Sequence, residues 1–455
     1  MSKQGITVID AVMGTGKSTW IIEQIIAHPG EKYVVVVPLL TEVERYRDKL
    51  AEHRATFAPE SIGKQTTKAE AFKSMLAEGT GVIITTHSLF SSWDAECFTH
   101  IAKHGYHGVL DETVALVEET DISEHDYQML LSSGYIEEHA IDGKDNLIAI
   151  TDTARTPEYV GQFNKFVRHA QRNNLVKVNG AMYIRTIKPE SLTSFKSCFV
   201  LTYMFPGSEM DCWLRLYGLE ASLKTLKEDE ITGTRTLVDH LGEYSGMEFL
   251  DLITLVDTPT MNAVGRKGRK QGTPLSNEWF HKATAGEQKQ LQNNLANMAH
   301  HMTRRFARDV IGDTTSHHGY YFMWSAKLEI REAMEKKLPY RRIPTKALSP
   351  FGDNHKERDT DREIFVAYNQ RATNDYAHKG CLAYLTAPFL RVPISNFFAA
   401  CGLKFDGTLF MLSTLLQWVW RSRIRSREEI LLYVPSEPLR DLFKRWLSGG
   451  LTVRL

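Results

Sequence analysis

The 455 residues of this chain are too many for one ordinary hydrophobic core, so the length favours two or three domains. An apolar fraction of 42% and an aromatic fraction of 10% exclude a disordered chain. Lysine and arginine together balance aspartate and glutamate, 55 against 55, so any binding of nucleic acid must use local basic patches rather than the net charge.

The compartment can be predicted from the cysteines and from the apolar runs. The five cysteines are scattered without a C-x-x-C pair, which argues against a zinc site or a disulfide framework and fits a reducing compartment. The opening MSKQGITVIDAV lacks the apolar run of a signal peptide. Because no stretch reaches the roughly 18 uninterrupted apolar residues of a membrane span, we expect a cytoplasmic protein without a membrane partner.

The first predicted strand and helix enclose a phosphate-binding loop. ITVID alternates as a buried strand does, and STWIIEQIIAH has apolar residues at helical spacing. Between them, AVMGTGKST meets the P-loop pattern G-x-x-x-x-G-K-[ST] with Ala11 at its first position. Lys17 would reach the β- and γ-phosphates, and Ser18 would ligate Mg²⁺. The residues expected to hold the nucleotide are Met13, Gly14, Thr15, Gly16, Lys17, Ser18 and Thr19.

Two further apolar runs predict parallel strands that are covered on both faces. KYVVVV is followed by Pro38 and a charged helix. In GVIITTHSLF the apolar strand ends in the polar residues Thr85, Thr86 and His87. The carboxyl ends of parallel strands meet at one edge of a sheet, where ligands bind. These polar strand ends are therefore candidate binding residues of an α/β domain.

A pair of carboxylates follows a third short strand, in YHGVLDET. Asp111 would hold Mg²⁺ through its water, and Glu112 would polarise the attacking water. The alternative is two solvated acids at the start of a helix, where carboxylates are favoured in any case. A glutamate next to the aspartate favours an ATPase over a kinase or a Ras-like GTPase.

In this order the motifs resemble those of a superfamily 2 helicase of the DEAD/DEAH-like kind, of the phage-encoded replication type. AVMGTGKST resembles motif I, VVVPLLTEVER motif Ia, IITTHSLF the strand end that touches the nucleic-acid backbone, and VLDET motif II. FVLTYMFPGS resembles motif III, with Thr202 in the coupling position. YYFMWSAKLEIREAM resembles motif IV, LTAPFLRVPIS motif V, and QWVWRSRIR motif VI, in which Gln417 and Arg421 match.

The resemblance implies ATP and Mg²⁺ as cofactors and single-stranded or forked DNA as partner, in the cytoplasm of a bacterial host, and it makes other replication proteins candidate partners. It also implies that Pro38, Thr85, Thr86, His87 and Thr202 contact nucleic acid or couple it to ATP. The predicted fold is α/β, with two RecA-like parallel-sheet domains and a helical or loop insertion between them. The predicted bounds are 1–225 for the first domain, 226–311 for the insertion and 312–455 for the second domain.

The remainder of the chain gives weaker signals. AVGRKGRKQG (263–272) predicts a loop that is either solvated or in contact with nucleic acid, through Arg266, Lys267, Arg269 and Lys270. GEQKQLQNNLANMAHHMTRRFARDV predicts one long helix with an apolar packing stripe. In the second domain the candidate strands are YYFMWS, EIFVAYN, CLAYLTA, LFMLST and ILLYVPS, followed by a helix in PLRDLFKRWL.

Four arginines near the C-terminus are candidates for sensing the γ-phosphate. If 414–425 is a helix, about 3.6 residues per turn place Gln417, Arg421 and Arg425 in one row. That row would reach across a cleft to the charge that builds on the γ-phosphoryl oxygens, with Arg423 in reserve. A solvated helix face and a nucleic-acid patch with stacking tryptophans are the alternatives, although we expect Trp418 and Trp420 to pack inside the fold.

Three functions remain open on the sequence. The favoured one is an ATP-dependent nucleic-acid helicase or translocase, acting on DNA in phage replication or recombination. The second is a phage packaging motor, which would need a metal-binding carboxylate cluster near the C-terminus, with Asp353, Asp359, Asp361 and Asp375 as the available acids. The third is a non-motor switch or loader that binds ATP and a partner protein.

Overall fold

A computed structural model of the chain describes residues 5–61, 66–155, 157–266, 273–352, 355–370 and 375–453. It divides into two compact units. The first unit is Met1–His240 together with Leu390–Gly407, and the second is Leu241–Phe389 together with Thr408–Leu455. None of the helices in the described part of the chain has the length and apolarity that a membrane span needs.

The strands are numbered in chain order. They are β1 (Gly5–Asp10), β2 (Tyr33–Val37), β3 (Val82–Thr86), β4 (His107–Asp111), β5 (Val117–Glu119), β6 (Ile136–Ala140), β7 (Leu147–Asp152), β8 (Leu175–Val178), β9 (Met182–Thr186), β10 (Ser197–Thr202), β11 (Ala221–Glu228), β12 (Arg235–Asp239), β13 (Glu243–Tyr244), β14 (Ile253–Leu255), β15 (Phe322–Ser325), β16 (Cys381–Tyr384), β17 (Ile430–Tyr433) and β18 (Leu451–Thr452).

The α-helices are numbered in the same way. They are α1 (Lys17–Ala27), α2 (Leu40–Leu50), α3 (Lys68–Glu78), α4 (His87–Phe90), α5 (Ala95–His104), α6 (Glu124–Ser132), α7 (Asn164–Gln171), α8 (Glu190–Thr193), α9 (Glu209–Leu216), α10 (Pro259–Asn262), α11 (Asn277–Lys282), α12 (Ala285–Asn297), α13 (Thr303–Phe306), α14 (Leu328–Glu335), α15 (Val392–Ala400), α16 (Gly407–Val419) and α17 (Glu437–Leu447). Short 3-10 turns lie at Phe205–Gly207, Met247–Leu252, Ala263–Gly265, His318–Tyr321, Asp359–Arg362 and Arg423–Ser426.

A seven-stranded sheet with the order β12-β11-β1-β10-β4-β2-β3 is the centre of the first unit. All its strand pairs are parallel except that of β11 with β12. In β2, Val34 and Val36 join the core on one face of the sheet, and Val35 and Val37 join the core on the other. The prediction of an α/β unit with a parallel sheet covered on both faces is thus confirmed.

The register of this sheet brings three strand ends together. Asp10 at the end of β1 lies opposite Thr202 at the end of β10, and Leu201 lies opposite Asp111 at the end of β4. The loop after β1, the turn after β10 and the carboxylates after β4 therefore share one edge of the sheet. That edge is where an open parallel sheet binds its ligands.

The first unit also contains an insertion that the sequence did not predict. Between β4 and β10 the chain forms an antiparallel sheet with the order β5-β9-β8-β7-β6. Helix α15 comes from much later in the chain and packs on this sheet, burying Ile394, Phe397 and Phe398 in the same core as Val117 and Ile184. The segment that resembles motif V consequently runs into this helix.

The second unit is built on a four-stranded parallel sheet with the order β14-β17-β16-β15, and β13 pairs with β18 separately. The predicted long helix is present, because α12 continues through π-helical turns at Met298–Met302 and Ala307–Ile311 that flank α13. Its apolar stripe packs in the core, as predicted, through the buried side chains of Leu291, Leu295, Met298 and Phe306.

Two of the predicted strands of the second unit were wrong. EIFVAYN contributes two isolated bridges, between Phe365 and Trp324 and between Glu363 and Arg342, rather than a strand. LFMLST lies inside helix α16, which is buried along Leu409, Leu412 and Leu416. A short run of apolar residues fits a buried helix as well as a buried strand, so its periodicity does not separate the two.

The middle of the chain also differs from the predicted insertion at 226–311. Residues up to 240 complete β11 and form β12 in the sheet of the first unit, because β11 pairs in parallel with β1. The second unit begins at Leu241 and already includes β14. The chain therefore first passes from one unit to the other at 240/241, and the described residues contain no separate insertion between them.

Lys379 of the second unit is fully buried, and its Nζ donates to the carbonyl oxygen of Asp361 at 3.3 Å. Burial lowers the pKa of Lys379 to about 7, although the charges of Asp361 and Glu363 act in the opposite direction. The unfolded chain keeps the lysine protonated up to about pH 10. Since the unfolded state then binds more protons between these values, this lysine costs stability that returns as the pH rises.

We therefore expect Lys379→Met to raise the Tm of the second unit by a few degrees at pH 7. The difference from the unsubstituted protein should shrink as the pH rises above about 7 and vanish above about 10, where both states carry a neutral lysine. Calorimetric scans across this range measure the difference. A gain in Tm that does not change with pH would show that ionisation of Lys379 is not its cause.

Candidate nucleotide site

The loop between β1 and α1 has the backbone of a phosphate cradle. Gly14 and Gly16 both have φ of 86°, in the left-handed region where glycine is unstrained. Lys17 Nζ donates to the carbonyl oxygens of Ala11 and Val12, the latter at 3.0 Å. Carbonyl oxygens thus hold the ammonium group beside the loop. Phosphate oxygens accept hydrogen bonds in the same way, so a bound phosphate could take their place.

Ser18 and Asp111 meet at the sheet edge although they lie 93 residues apart in sequence. Ser18 Oγ donates to Asp111 Oδ2 at 2.9 Å. A hydroxyl and a carboxylate are the oxygen ligands that Mg²⁺ prefers, so the two side chains fit the magnesium site predicted for them.

The same carboxylate oxygen of Asp111 accepts two further hydrogen bonds, both from helix α2. Tyr46 Oη donates to Oδ2 at 2.8 Å, and Arg45 Nη2 lies 3.3 Å from it. Burial and the negative charge of Asp111 raise the pKa of Tyr46 well above its usual value. Burial opposes protonation of Arg45, but Glu42, Tyr46 and Asp111 together raise its pKa. Both side chains therefore remain donors at neutral pH and fix the orientation of the carboxylate.

Sequence reasoning missed Arg45 and Tyr46. They lie in LTEVERYRDKL, for which the sequence predicts a charged helix and no site residue. A tyrosine on the apolar stripe of that helix, next to an arginine, was the available signal. Tyr46 is fully buried with Val43 and Leu50, so the helix carries its hydroxyl into the sheet edge.

Glu112 has a strained backbone. Its φ is 73°, in the left-handed region, and its N–H donates to the carbonyl oxygen of Leu201 at 2.9 Å. For a residue with a side chain this conformation costs on the order of 1 kcal/mol, and such strain concentrates at functional sites. Asp111 is buried and residues 113–116 are not helical, so the alternative of two solvated acids opening a helix is wrong.

Asp10 connects the P-loop to the turn after β10 and was not predicted as a site residue. Its fully buried carboxylate accepts hydrogen bonds from the backbone N–H groups of Met204 at 2.7 Å and Phe205 at 2.9 Å. The Ala11 N–H donates to the carbonyl oxygen of Thr202 at 3.1 Å. Thr202, the predicted coupling residue, is therefore bonded through its backbone to the first residue of the P-loop.

The predicted nucleic-acid residues lie at the ends of β2 and β3. Pro38 directly follows β2 and is partly exposed. Thr86 caps helix α4 by accepting the Leu89 N–H at 3.4 Å, and His87 Nε2 lies 3.1 Å from the carbonyl oxygen of Asp111. The Thr85 hydroxyl is buried and has no hydrogen-bond partner within the described ranges. His87 thus connects these strand ends to the carboxylate strand.

The predicted row of Gln417, Arg421 and Arg425 does not exist in the structure. Helix α16 ends at Val419, and a separate 3-10 turn begins at Arg423. Gln417 and Arg425 are exposed, whereas Arg421 is buried with its Nη1 3.4 Å from the carbonyl oxygen of Ala367. Ser422 explains the break, since its buried hydroxyl bonds both to Val419 and to the N–H of Ile424.

The remaining residues of the arginine segment are engaged locally. Arg423 pairs with Glu428 at 3.1 Å and lies over the ring of Phe306. Trp418 and Trp420 are buried, and Trp418 Nε1 donates to the carbonyl oxygen of Val366 at 2.9 Å. The tryptophans pack inside the fold, as expected, rather than presenting faces for stacked bases.

The acids that a packaging nuclease would need form ion pairs. Asp359 pairs with Arg342 at 2.7 Å, while Asp361 and Asp375 both pair with Arg358. Asp353 lies outside the described residues. Within the described ranges no three His, Cys, Asp or Glu side chains are grouped so as to hold a metal ion.

The basic segment 263–272 falls largely outside the described residues. Lys267, Arg269 and Lys270 are not described, and Arg266 is exposed. Contact of this segment with nucleic acid stays a prediction.

Comparison with known sequences shows that the chain is similar to a prophage protein. Residues 247–447 match the family model described as the YonV C-terminal Rossmann-like domain. Over 452 residues the chain is 26% identical to the SPbeta prophage-derived uncharacterized protein YonV of Bacillus subtilis (strain 168), covering 98% of this chain and 99% of that protein. The similarity to this relative thus extends over both units.

Two solved structures are similar at low sequence identity. One is titled XPD helicase, with a TM-score of 0.47 and 9% identity, covering 97% of this chain and 95% of that chain. The other is S. tokodaii Xpd4, with a TM-score of 0.49 and 10% identity, covering 97% of this chain and 93% of that chain.

Proposed function

We propose that this chain is an ATP-dependent nucleic-acid helicase or translocase. The observation that carries the proposal is the hydrogen bond of 2.9 Å between Ser18 Oγ and Asp111 Oδ2, with Glu112 as the next residue. It joins a P-loop to an aspartate–glutamate pair at one edge of a parallel sheet. ATP hydrolysis needs this combination of a phosphate cradle, a metal site and a group that polarises water.

The P-loop residues from Met13 to Thr19 would hold the triphosphate, with Lys17 on the β- and γ-phosphates. Ser18 and Asp111 would hold Mg²⁺, which neutralises charge on the phosphate oxygens when bound. Glu112 would orient and polarise the attacking water. Arg421 is the motif VI side chain that we propose for the γ-phosphate.

Nucleic acid would be held by the strand ends at Pro38, Thr85, Thr86 and His87, without sequence preference. The hydrogen bond from His87 to the carbonyl oxygen of Asp111 at 3.1 Å gives this surface a direct connection to the metal ligand. Thr202 would couple the same events through its backbone bond to the P-loop.

The proposed substrate is single-stranded or forked DNA during phage replication or recombination, with other replication proteins as partners. The prophage origin of the relative that is similar over 98% of this chain supports the phage setting. The protein would then act in the cytoplasm of the bacterial host.

ATP turnover measured with single-stranded, duplex and forked DNA and with RNA tests the proposal. We expect stimulation by single-stranded or forked DNA, and a loss of roughly 10²-fold or more in the Lys17→Ala variant, because an electrostatic clamp on the phosphates is removed. The variant guards against contaminating ATPases. Turnover that no nucleic acid stimulates would rule out the motor.

A further inference from the structure

We infer that Arg235 contacts the phosphates of the bound nucleotide, as a second cation beside Lys17. The inference rests on the proposed nucleotide site and extends it to the hairpin of β11 and β12, which lies outside the P-loop sequence. Arg235 belongs to a segment for which the sequence predicted a helical or loop insertion and no site residue.

Because of the strand order, this hairpin lies next to the P-loop. β11 runs parallel to β1 with Ile9 opposite Lys224, and it continues to Glu228 beyond the level at which β1 ends. The chain then turns at Asp229, whose carboxylate accepts the N–H groups of Ile231 and Thr232. β12 returns with Arg235 directly opposite Glu228. The first residue of β12 is thus set beside the loop that follows β1.

The Arg235 side chain lies against Gly16 of the P-loop. A Cβ atom at Gly16 would be 2.6 Å from Arg235 Nε and 2.9 Å from Cζ, so the guanidinium fills the space that the missing side chain leaves. Gly16 is the last residue before Lys17, and its backbone belongs to the cradle for the phosphates. The arginine therefore contacts a residue whose backbone would itself contact the phosphates.

One donor of this guanidinium is unused. Arg235 Nε is buried and makes no hydrogen bond within the described ranges, and buried donors in proteins are nearly always paired. The Nη atoms are engaged, with Glu228 at 3.2 Å and Glu23 at 3.9 Å. The donor nearest Gly16 is thus the one left over, and a phosphate oxygen is the partner that a guanidinium takes most readily.

The two carboxylates give a second reason for a cation at this position. Glu23 on α1 and Glu228 on β11 place two negative charges beside the loop that would receive a triphosphate. Arg235 offsets both charges. Without it, the acids would repel the nucleotide, so removal of the arginine should weaken binding of phosphates in particular.

The test is a titration of the full chain with ADP and with a non-hydrolysable ATP analogue, by calorimetry. Arg235→Gln should raise Kd for both by about tenfold or more, because a charge-assisted hydrogen bond and a neutralising charge are lost. Arg235→Lys, which keeps the charge, should recover part of the affinity. Glu228→Gln is the matched control, and it should bind as tightly as the unsubstituted protein or more tightly.

Unfolding scans without nucleotide separate binding from folding. We expect the same Tm for Arg235→Gln and the unsubstituted chain, with a smaller nucleotide-induced rise in the variant. A Kd for Arg235→Gln within twofold of that of the unsubstituted protein would overturn the inference, as would equal weakening in Glu228→Gln, which would assign the effect to the ion pair. If the unsubstituted chain binds neither nucleotide, the proposed function itself fails.

Discussion

Glu112→Gln should lower ATP turnover by roughly 10³-fold while ATP remains bound. The amide keeps the size of the side chain but cannot take the proton of the attacking water. Ser18 and Asp111 are untouched, and their hydrogen bond of 2.9 Å should still assemble the metal site. Phosphate release measures turnover, and filter binding of labelled ATP measures retention.

The backbone conformation of Glu112 should be the same in the variant, so the substitution should affect catalysis and not stability. The hydrogen bond from the backbone N–H of Glu112 to the carbonyl oxygen of Leu201 does not involve the side chain, and glutamine carries the same conformational cost at a φ of 73°. The Tm of the variant should therefore match that of the unsubstituted chain. Glu52→Gln, at an exposed position just after helix α2, is the matched control and should turn over ATP normally.

The same variant separates a motor from a non-motor switch. A motor blocked before hydrolysis should hold ATP and single-stranded DNA together, since each ligand favours the state that binds the other. If the protein is a non-motor switch, the Glu112→Gln variant should retain ATP, and the bound ATP should not change its affinity for DNA. Turnover within tenfold of that of the unsubstituted protein would show that Glu112 is not the residue that activates water.

The core of the first unit was predictable because its signals are local. The apolar run of β2 is buried at every position, and the P-loop pattern fixes a strand, a turn and a helix in one short segment. The order of the motifs then placed Ser18 and Asp111 together, as the hydrogen bond between them shows. Arg45, Tyr46 and Asp10 complete that geometry, but their roles depend on contacts between distant segments.

The insertion and the hairpin of the first unit gave no comparable signal. In β6 a single residue, Ile136, is buried, and β11 is half-exposed along its length. These two strands bury too little surface to show the alternation that predicts a strand. Their pairing is decided by the neighbouring strands, as in β11 beside β1.

The end of helix α16 was likewise decided by tertiary contacts. The segment 414–425 has no glycine or proline, so helical spacing could be extended through Arg425. In the structure Ser422 is fully buried, and its hydroxyl bonds replace the next helical turn. Arg421 is turned inward and the other two members of the row are exposed.

Arg421→Ala should lower the nucleic-acid-stimulated rate of ATP hydrolysis by roughly 10³-fold, so that stimulation is lost. The affinity for ATP should not change. A guanidinium meets charge that builds on the γ-phosphoryl oxygens in the transition state, so its removal acts on kcat and not on Kd. Because Arg421 is buried, Arg421→Lys should accompany it, as lysine keeps the charge and most of the volume. Stimulated kcat and the Kd for ATP are the two measurements.

Arg427→Ala is the control within the same segment. Arg427 is exposed, pairs with Glu248 and lies over the ring of Phe249, so its loss should leave hydrolysis almost unchanged. Arg423→Ala tests the reserve candidate, which is held by Glu428. If Arg427→Ala lost stimulation while Arg421→Ala kept it, the segment would be a surface patch for nucleic acid, and the γ-phosphate would have to be met by another cation.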